Sequence, residues 1–181
     1  MRFTLREYRP DDFNTLWAID QSCFEPGISY SRYELRVYLR RWGAFTLVAE
    51  SADPPRASVK PNLQGQDQDK DKGDPKSNPS ILAFIVAESS RRGKGHIITI
   101  DVRASARRHH IGSALLDAAE KRLLYSRCDA VRLETAVNNT SAISFYKRHG
   151  YDVIQAIPHY YSNGVDALLL EKNLLSSPHA S

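Results

Sequence analysis

Residues 106–116 read ARRHHIGSALL, so two arginines and two histidines stand directly before a glycine and an apolar helix. The first turn of a helix presents backbone N–H groups without intrahelical partners and carries a partial positive charge. Phosphate binds readily at such a terminus, and a glycine lets it approach the backbone closely. A basic loop that only caps a helix is the alternative interpretation of the segment taken alone. The predicted anion site consists of Arg107, Arg108, His109, His110, Ile111, Gly112 and Ser113.

A second group of chemically useful side chains follows in the strand RLETAV, residues 132–137. Strand alternation places Leu133 and Thr135 on one face and Glu134 on the other. Since Leu133 is expected to face the core, Glu134 is expected to face a substrate on the opposite side. A carboxylate there can accept a proton directly or through a water molecule. A glutamate that is simply exposed on the strand is the alternative interpretation.

Both stretches must be positioned by the surrounding elements, whose order hydrophobic periodicity and turn signals predict as β-αα-β-β-β-α-β-α-β-β. The predicted fold class is α/β (α+β), a mixed and mostly antiparallel sheet of about seven strands flanked by about four helices. Over residues 97–137, a strand-helix-strand crossover predicts one parallel pair, formed by ITIDV and RLETAV. Ligands gather at the carboxyl ends of such strands, where both stretches lie.

Three local signals mark where helices begin or end. The tripeptide Pro-Asp-Asp at residues 10–12 is typical of a helix start. Ser31 and Glu34 have the spacing of a capping box. Gly150 is expected to close the helix that begins at Asn139, because glycine readily takes the left-handed conformation just after a helix.

Length and composition predict one domain over residues 1–175, with a short tail at 176–181. The 181 residues, of which 41% are hydrophobic and 25% charged, suffice for a single core. Residues 51–80 stand apart because they contain no aromatic residue and are rich in proline, aspartate and lysine. Such a segment buries too little apolar surface to offset the entropy of ordering it, so a flexible loop insertion is expected.

Composition also argues against several classes of function. The formal net charge is +4, but the basic segment Arg103–His110 lacks a longer basic face with interleaved aromatic residues, so no nucleic-acid partner is expected. No apolar run approaches about 18 residues, and the N-terminus has no signal-peptide core, so no membrane span is expected. Cys23 and Cys128 form no CxxC pair and the histidines lack metal-ligand spacing. This predicts no metal and a cytoplasmic protein with reduced thiols.

The segment around the predicted anion site resembles the GNAT superfamily of acyl-CoA-dependent N-acetyltransferases. The pyrophosphate motif of that family, [Q/R]-x-x-G-x-[G/A], matches at Arg107 and Gly112, whereas His110 takes the position of the first glycine. A side chain there either clashes with the pyrophosphate or turns outward and adds a donor. The resemblance covers almost the whole chain outside residues 51–80. The second half of the signature, N-x-x-A-x-x-[FL]-Y-x-x-x-G-[FY], is complete as Asn139, Ala142, Phe145, Tyr146, Gly150 and Tyr151.

The resemblance implies that acetyl-CoA is the co-substrate and gives each site residue a role. The backbone of Ile100, Asp101 and Val102 is expected to bind the pantetheine amides, with the N–H of Val102 polarising the thioester oxygen. Asp101 is expected either to touch the substrate or only to mark the strand end. Asn139 is expected to cap its helix and to hydrogen-bond CoA. The basic residues at 107–110 are expected to meet the 3′-phosphate and the pyrophosphate.

Within the superfamily the chain is most similar to the RimI-type enzymes, which acetylate the N-terminal α-amines of proteins. Glu134 stands where those enzymes carry the catalytic glutamate. Tyr146 follows twelve residues later as the candidate general acid for the departing thiolate, with core packing of its ring as the alternative. The tail HYYSNGVDALLLEK resembles the RimI-type hairpin. Tyr160 and Tyr161 are therefore expected to border a peptide groove or, alternatively, to be half-exposed loop aromatics.

The predicted function is acetyl transfer from acetyl-CoA directly to an amine, with a protein or peptide N-terminal α-amine as the leading acceptor. An α-amine has a reference pKa of about 7.7–8.0, against about 10.4 for lysine, so it is easier to present in the neutral form. A small amine (a polyamine, an amino sugar or an amino acid) is the first alternative, because fold does not settle the acceptor. A CoA-binding module without catalysis is the second. We expect a monomer or a homodimer.

Overall fold

The computed structural model of the protein describes residues 1–53 and 80–175. The predicted fold class is confirmed within these ranges by seven strands in one sheet and four α-helices, while most of the predicted insertion at 51–80 and the tail at 176–181 lie outside them. Two 3-10 turns, at Pro10–Asp12 and Ala104–Ala106, precede the first and third α-helices. The elements are β1 Phe3–Glu7, α1 Phe13–Cys23, α2 Arg32–Leu39, β2 Ala44–Ser51, β3 Ile81–Ser89, β4 Lys94–Val102, α3 Ile111–Tyr125, β5 Ala130–Ala136, α4 Thr140–Arg148, β6 Asp152–Ile157 and β7 Ala167–Asn173.

The sheet has the strand order β1-β2-β3-β4-β5-β7-β6, so β7 lies between β5 and β6. The crossover prediction is confirmed, because β4 and β5 form a parallel pair. The residues that form this pair differ from the prediction: Lys94–His96 pair with Ala130–Arg132, whereas the expected segment ITIDV pairs with β3 and with no other strand of residues 1–53 and 80–175. A β-bulge in the β3–β4 ladder, at Ile98 of β4, bends the strand away from its parallel partner. Among the described residues, the carboxyl end of β4 therefore has no paired strand on the β5 side.

Hydrophobic side chains cover both faces of the sheet and form two cores. The core on the α3 side includes Leu115, Leu123 and Leu133. The core on the α1 and α2 side includes Leu16 and Leu35. Each fully buried leucine contributes roughly 1.5–3 kcal/mol relative to an exposed one. Because Leu133 is 1% exposed on the α3 side, strand alternation directs its neighbour Glu134 to the α1 side, as predicted.

The local helix signals are confirmed at two of three places. The Ser31–Glu34 capping box is present, with the Glu34 N–H donating to Ser31 Oγ at 3.2 Å and the Ser31 N–H donating to Glu34 Oε2 at 2.9 Å. Gly150 follows α4 with φ +84°, which is the left-handed conformation. At residues 10–12 the chain forms a 3-10 turn instead of the first turn of α1. The reason is Asp12, whose carboxylate binds Arg6 and the Arg9 N–H rather than capping the helix.

A buried charged network fastens α3 to the far end of the sheet. Glu120 of α3 accepts a hydrogen bond from the Tyr151 hydroxyl at 2.9 Å and from Lys172 Nζ of β7 at 2.5 Å. Both charged side chains are nearly buried, so each depends on the other for compensation. No helix in residues 1–53 and 80–175 has both the length and the apolar composition needed to cross a bilayer.

Candidate active site

Glu134 lies beside a histidine that sequence analysis did not single out. Glu134 Oε2 is 2.7 Å from Nε2 of His96 on β4, and the two side chains are 19% and 33% exposed. The parallel register explains this contact, because His96 pairs with Arg132 and its side chain reaches along the same face toward Glu134. On its other side, His96 Nδ1 is 3.6 Å from Glu88 of β3, which binds Arg41 at 3.1 Å. His96 therefore stands between two carboxylates.

This position changes the acidity of His96. Burial alone would lower the pKa of the imidazole, since it disfavours the charged form. The hydrogen bond to Glu134, together with the charges of Glu134 and Glu88, outweighs burial, so the pKa of His96 is raised above its ordinary value. His96 thus holds a proton more readily than a buried histidine without a carboxylate partner would.

Aromatic side chains surround Glu134 on the side away from the sheet. Tyr160 and Tyr161 lie in the loop between β6 and β7, with ring centroids 5.0 Å apart in an edge-to-face arrangement. Burial, and next the negative charge of Glu134, raises the pKa of Tyr160 to about 12. Burial, followed by Tyr160 and Glu134, also raises the pKa of Tyr161. The structure therefore brings both predicted tyrosines within electrostatic reach of the predicted base. Tyr160 is 46% exposed, which leaves it accessible.

A third tyrosine, Tyr30, was not predicted and belongs to the same wall. It lies in the α1–α2 loop, and its hydroxyl donates to the Ile98 carbonyl at the bulge of β4 at 3.1 Å. Its ring packs against Tyr38 with centroids 4.9 Å apart. After burial, Tyr38, Tyr160 and Tyr161 are among the groups that raise the pKa of Tyr30. No sequence motif marks Tyr30, because only the fold brings the α1–α2 loop over β4.

Asp101 is buried near the end of β4, with 1% of its surface exposed. Its Oδ1 accepts a hydrogen bond from Thr99 Oγ1 at 2.9 Å, which the bulge permits by turning both side chains to the α1 face. Burial, and next the charge of Asp20, raises the pKa of Asp101 well above its usual range. Asp20 anchors the α1–α2 loop by accepting from the Tyr30 N–H at 2.9 Å, and burial raises its own pKa to about 6. Asp101 thus marks a buried acidic layer beneath the loop.

Tyr146 and Asn139 hold the α4 side of the site. The Tyr146 ring is 6% exposed and packs edge-on against Phe145 and Tyr151, at 5.2 and 5.5 Å between centroids. Burial, then the charges of Asp101 and Tyr161, raises the pKa of its hydroxyl. Core packing and a polar role are therefore compatible for Tyr146. Asn139 caps α4, as predicted, by accepting from the Ala142 N–H at 3.1 Å.

The predicted anion site forms a loop with two left-handed residues. Arg108 has φ +67° and His110 has φ +60°, a conformation that favours glycine. This explains physically why the related motif carries glycine at the position of His110. The first backbone bond of α3 runs from the Ala114 N–H to the His110 carbonyl at 3.0 Å, so the N–H groups at 111–113 have no intrahelical acceptor. The side chains at 107–110 are exposed, and that of His110 points away from the core.

The start of α3 also leaves room for a ligand. A Cβ on Gly112 would meet Phe145 at 3.6 Å and Val102 at 3.7 Å, which are ordinary contacts, so the protein itself does not require glycine there. Ser113 Oγ lies 3.0 Å from His149 Nε2, a partner that sequence analysis did not identify. The Val102 carbonyl accepts from Arg107 Nε at 3.2 Å and so fastens the loop to β4. In the part of the chain that the structure describes, His, Cys, Asp and Glu form no group of three suited to a metal ion.

Comparison with known proteins places these features in a family. The sequence model of the acetyltransferase (GNAT) family matches residues 13–151. The chain therefore belongs to the acetyltransferase (GNAT) family.

Individual proteins similar to this chain include N-acetyltransferases. An N-alpha-acetyltransferase of Sulfurisphaera tokodaii is 40% identical over 79 residues, which cover 42% of this chain and 47% of the relative. The match thus spans about half the length of that curated relative. The crystal structure of Ard1 from Thermoplasma volcanium superposes with a TM-score of 0.74 at 25% identity, covering 96% and 98% of the two chains. The ribosomal-protein-S18-alanine N-acetyltransferase of Escherichia coli superposes with a TM-score of 0.72 at 15% identity, covering 99% of each, which shows the fold alone.

Proposed function

We propose that this protein transfers the acetyl group of acetyl-CoA to the N-terminal α-amine of a protein or peptide. The observation that carries the proposal is the Glu134–His96 pair, joined at 2.7 Å on the α1 face between the open edge of β4 and the Tyr160–Tyr161 wall. Membership of the acetyltransferase family and relatives named N-alpha-acetyltransferase support the donor and the acceptor class.

The donor binds along the open end of β4 and the start of α3. The N–H groups at 111–113 hold the pyrophosphate, while Arg107, Arg108 and the two histidines of the loop add positive charge. Backbone groups of Ile100, Asp101 and Val102 pair with the pantetheine amides, because ITIDV has no β5 partner to compete for them. Asn139 adds a hydrogen bond to CoA. The N–H of Val102 polarises the thioester oxygen.

The chemical step requires that the amine lose a proton and the thiolate gain one. The amine nitrogen attacks the thioester carbon, the C–N bond forms, and the C–S bond breaks. Glu134 takes the amine proton directly or through a water molecule, since its carboxylate faces the acceptor side. His96 donates a hydrogen bond to that carboxylate and fixes its orientation. His96 then passes the proton taken up by Glu134 on to the solvent. Tyr146 gives its hydroxyl proton to the departing thiolate.

The acceptor is a peptide N-terminus of the kind that RimI-type enzymes use. Tyr30, Tyr160 and Tyr161 form the walls of the groove that orients the first peptide residues. A half-exposed tyrosine offers a peptide both a flat apolar surface and a hydroxyl.

The cysteines Cys23 and Cys128 are free thiols, which suits the reducing cytoplasm in which we place the protein.

The test is mass-spectrometric detection of acetylated product with acetyl-CoA as donor. The acceptors are peptides with free Ala, Ser or Met N-termini, N-blocked peptides that contain lysine, and several polyamines. We expect product with the free N-termini alone, and at least a hundredfold slower formation with Glu134→Gln. Asp117→Asn, an exposed carboxylate change on α3, is the matched control and should keep the full rate. Product only with polyamines would overturn the acceptor, and no product while acetyl-CoA still binds would indicate a non-catalytic module.

A further inference from the structure

The outward face of α2 is unusual because it is both basic and aromatic. Leu35 is fully buried against the sheet, and the opposite side of the helix is exposed. Tyr33, Val37 and Arg40 are spaced at i, i+4 and i+7, so they align along one stripe together with Arg36. Tyr33 is 76% exposed and Val37 41% exposed, although neither belongs to the site described above.

The stripe continues past the end of the helix onto a neighbouring turn. Trp42 follows α2 and is 67% exposed. The guanidinium of Arg91, in the β3–β4 turn, lies over the Trp42 ring at 4.8 Å from its centroid. Arg92 is the exposed neighbour of Arg91 in the same turn. We call the whole surface the α2 arginine face; it consists of Tyr33, Arg36, Val37, Arg40, Arg41, Trp42, Arg91 and Arg92.

Most of the positive charge on this face has no acidic partner. Arg41 binds Glu88 at 3.1 Å. Within residues 1–53 and 80–175, no carboxylate oxygen lies within 4.0 Å of a guanidinium nitrogen of Arg36, Arg40 or the two arginines at 91–92. Arg36 stacks on the Phe13 ring at 4.6 Å, which holds its charge at the surface. Four arginines of this face thus form no ion pair with the described residues.

The α2 part of this face carries a shallow depression. An open hollow of about 380 Å³ lies along α2, with aromatic, aliphatic and cationic groups in its wall. An anionic partner with flat rings that lay along this open depression would contact the arginines that line it. The residues that line the hollow are Tyr33, Arg36, Val37, Arg40 and Arg41.

We propose that the α2 arginine face binds single-stranded nucleic acid. Unpaired arginines neutralise phosphates, and exposed aromatic rings stack with bases, which is the combination that single strands require. The expectation of no nucleic-acid partner rested on Arg103–His110, which lacks a longer basic face with interleaved aromatic residues. The α2 arginine face has both features. An acidic peptide would satisfy the arginines but would leave the Tyr33 and Trp42 rings unused. The charge complementarity together with the rings therefore favours a polynucleotide.

Fluorescence anisotropy with a labelled 12-mer of uridine tests the proposal. Saturating CoA is included so that the anion loop before α3 is occupied and cannot bind the phosphates of the probe. We expect saturable binding at 50 mM salt, weakened about tenfold or more in Arg36→Gln/Arg40→Gln. Trp42→Ala should weaken binding about five- to a hundredfold if a base stacks on the ring. The slope of log affinity against log salt should become shallower by roughly 0.7 for each phosphate that the variant no longer neutralises.

Matched controls separate this surface from general charge effects. Lys121→Gln removes an exposed positive charge on α3, far along the chain from α2, and should change affinity less than twofold. A thymidine 12-mer distinguishes DNA from RNA, and either result supports a single-strand site. The proposal would be overturned if a duplex, an oligoglutamate peptide or anionic phosphatidylserine vesicles bound as tightly as the 12-mer and Trp42→Ala left the affinity for the 12-mer unchanged. It would also be overturned by no binding of the 12-mer at 100 μM protein, on the order of the weakest non-specific affinities.

Discussion

Replacing His96 with glutamine tests whether the pair it forms with Glu134 matters for catalysis. The contact is a hydrogen bond of 2.7 Å to an ionisable group, in surroundings that leave only 19% of the Glu134 side chain exposed. Hydrogen bonds to charged groups contribute about 1.5–3 kcal/mol, which corresponds to a factor of roughly 10–150 in rate. Glutamine keeps a donor at the right length but cannot take up a proton. We therefore expect kcat to fall about ten- to a hundredfold, with KM for acetyl-CoA unchanged.

The same substitution should change the pH dependence. The pKa of His96 is raised in the folded protein, so the acidic limb of kcat governed by His96 should lie above its reference value of about 6.5. In His96→Gln this limb should disappear. The raised pKa also makes the stability of the fold depend on pH. The His96–Glu134 pair stabilises the protein below the pKa of His96 in the unfolded chain, and this contribution is lost as pH rises through the pKa of His96 in the folded protein.

Steady-state kinetics from pH 5.5 to 9.5 with an alanine-starting peptide would measure both effects. The double variant His96→Gln/Glu134→Gln completes a mutant cycle, and the two changes should be strongly non-additive because they act on one proton path. An unchanged kcat and acidic limb in His96→Gln, or fully additive losses, would show that His96 and Glu134 do not act together in catalysis. His159→Gln, in the exposed loop that also carries the two tyrosines, is a control that should leave the limb in place.

Three further predictions concern the donor site and stability. Gly112→Asp should weaken CoA binding in calorimetry at least tenfold through repulsion of the pyrophosphate. Gly112→Ala should weaken it less, because its Cβ adds no charge and meets only ordinary contacts within the protein. An affinity of Gly112→Asp equal to that of the unchanged protein would reject the anion site. Tyr146→Phe should lower kcat about a hundredfold with little change in CoA affinity. An unchanged kcat would indicate that Tyr146 contributes only to core packing. Glu120→Gln should lower the free energy of unfolding, measured with denaturant, by about 3 kcal/mol because Lys172 loses its buried partner. The double variant Glu120→Gln/Lys172→Met should recover most of that loss. A loss below about 0.5 kcal/mol in Glu120→Gln would contradict this prediction.

Features that depend on nearby residues could be predicted from the sequence. The apolar period of α3, the Ser31–Glu34 capping box and the left-handed Gly150 each involve contacts within one or two helical turns. The facing direction of Glu134 also followed from alternation along a single strand. In each case the pattern and the physical cause lie within the same short segment.

Features that depend on register could not be predicted in the same way. The contact of His96 with Glu134 depends on where the parallel β4–β5 pairing begins, 38 residues apart along the chain. Glu88 joins them only because β3 pairs with β4 in a particular register around the bulge. Tyr30 reaches Ile98 through the path of the α1–α2 loop, which no periodicity encodes. The polar His96 in an apolar strand was the one available signal.

The most direct test of the proposed function uses one peptide that carries both kinds of amine. The peptide begins with a free serine and contains one internal lysine, and fragment-ion mass spectrometry locates the acetyl group after incubation with acetyl-CoA. We expect acetylation at the α-amine alone, at least a hundredfold slower with Glu134→Gln and unchanged with Asp117→Asn. Acetyl found on the lysine, or an undiminished rate in Glu134→Gln, would contradict it.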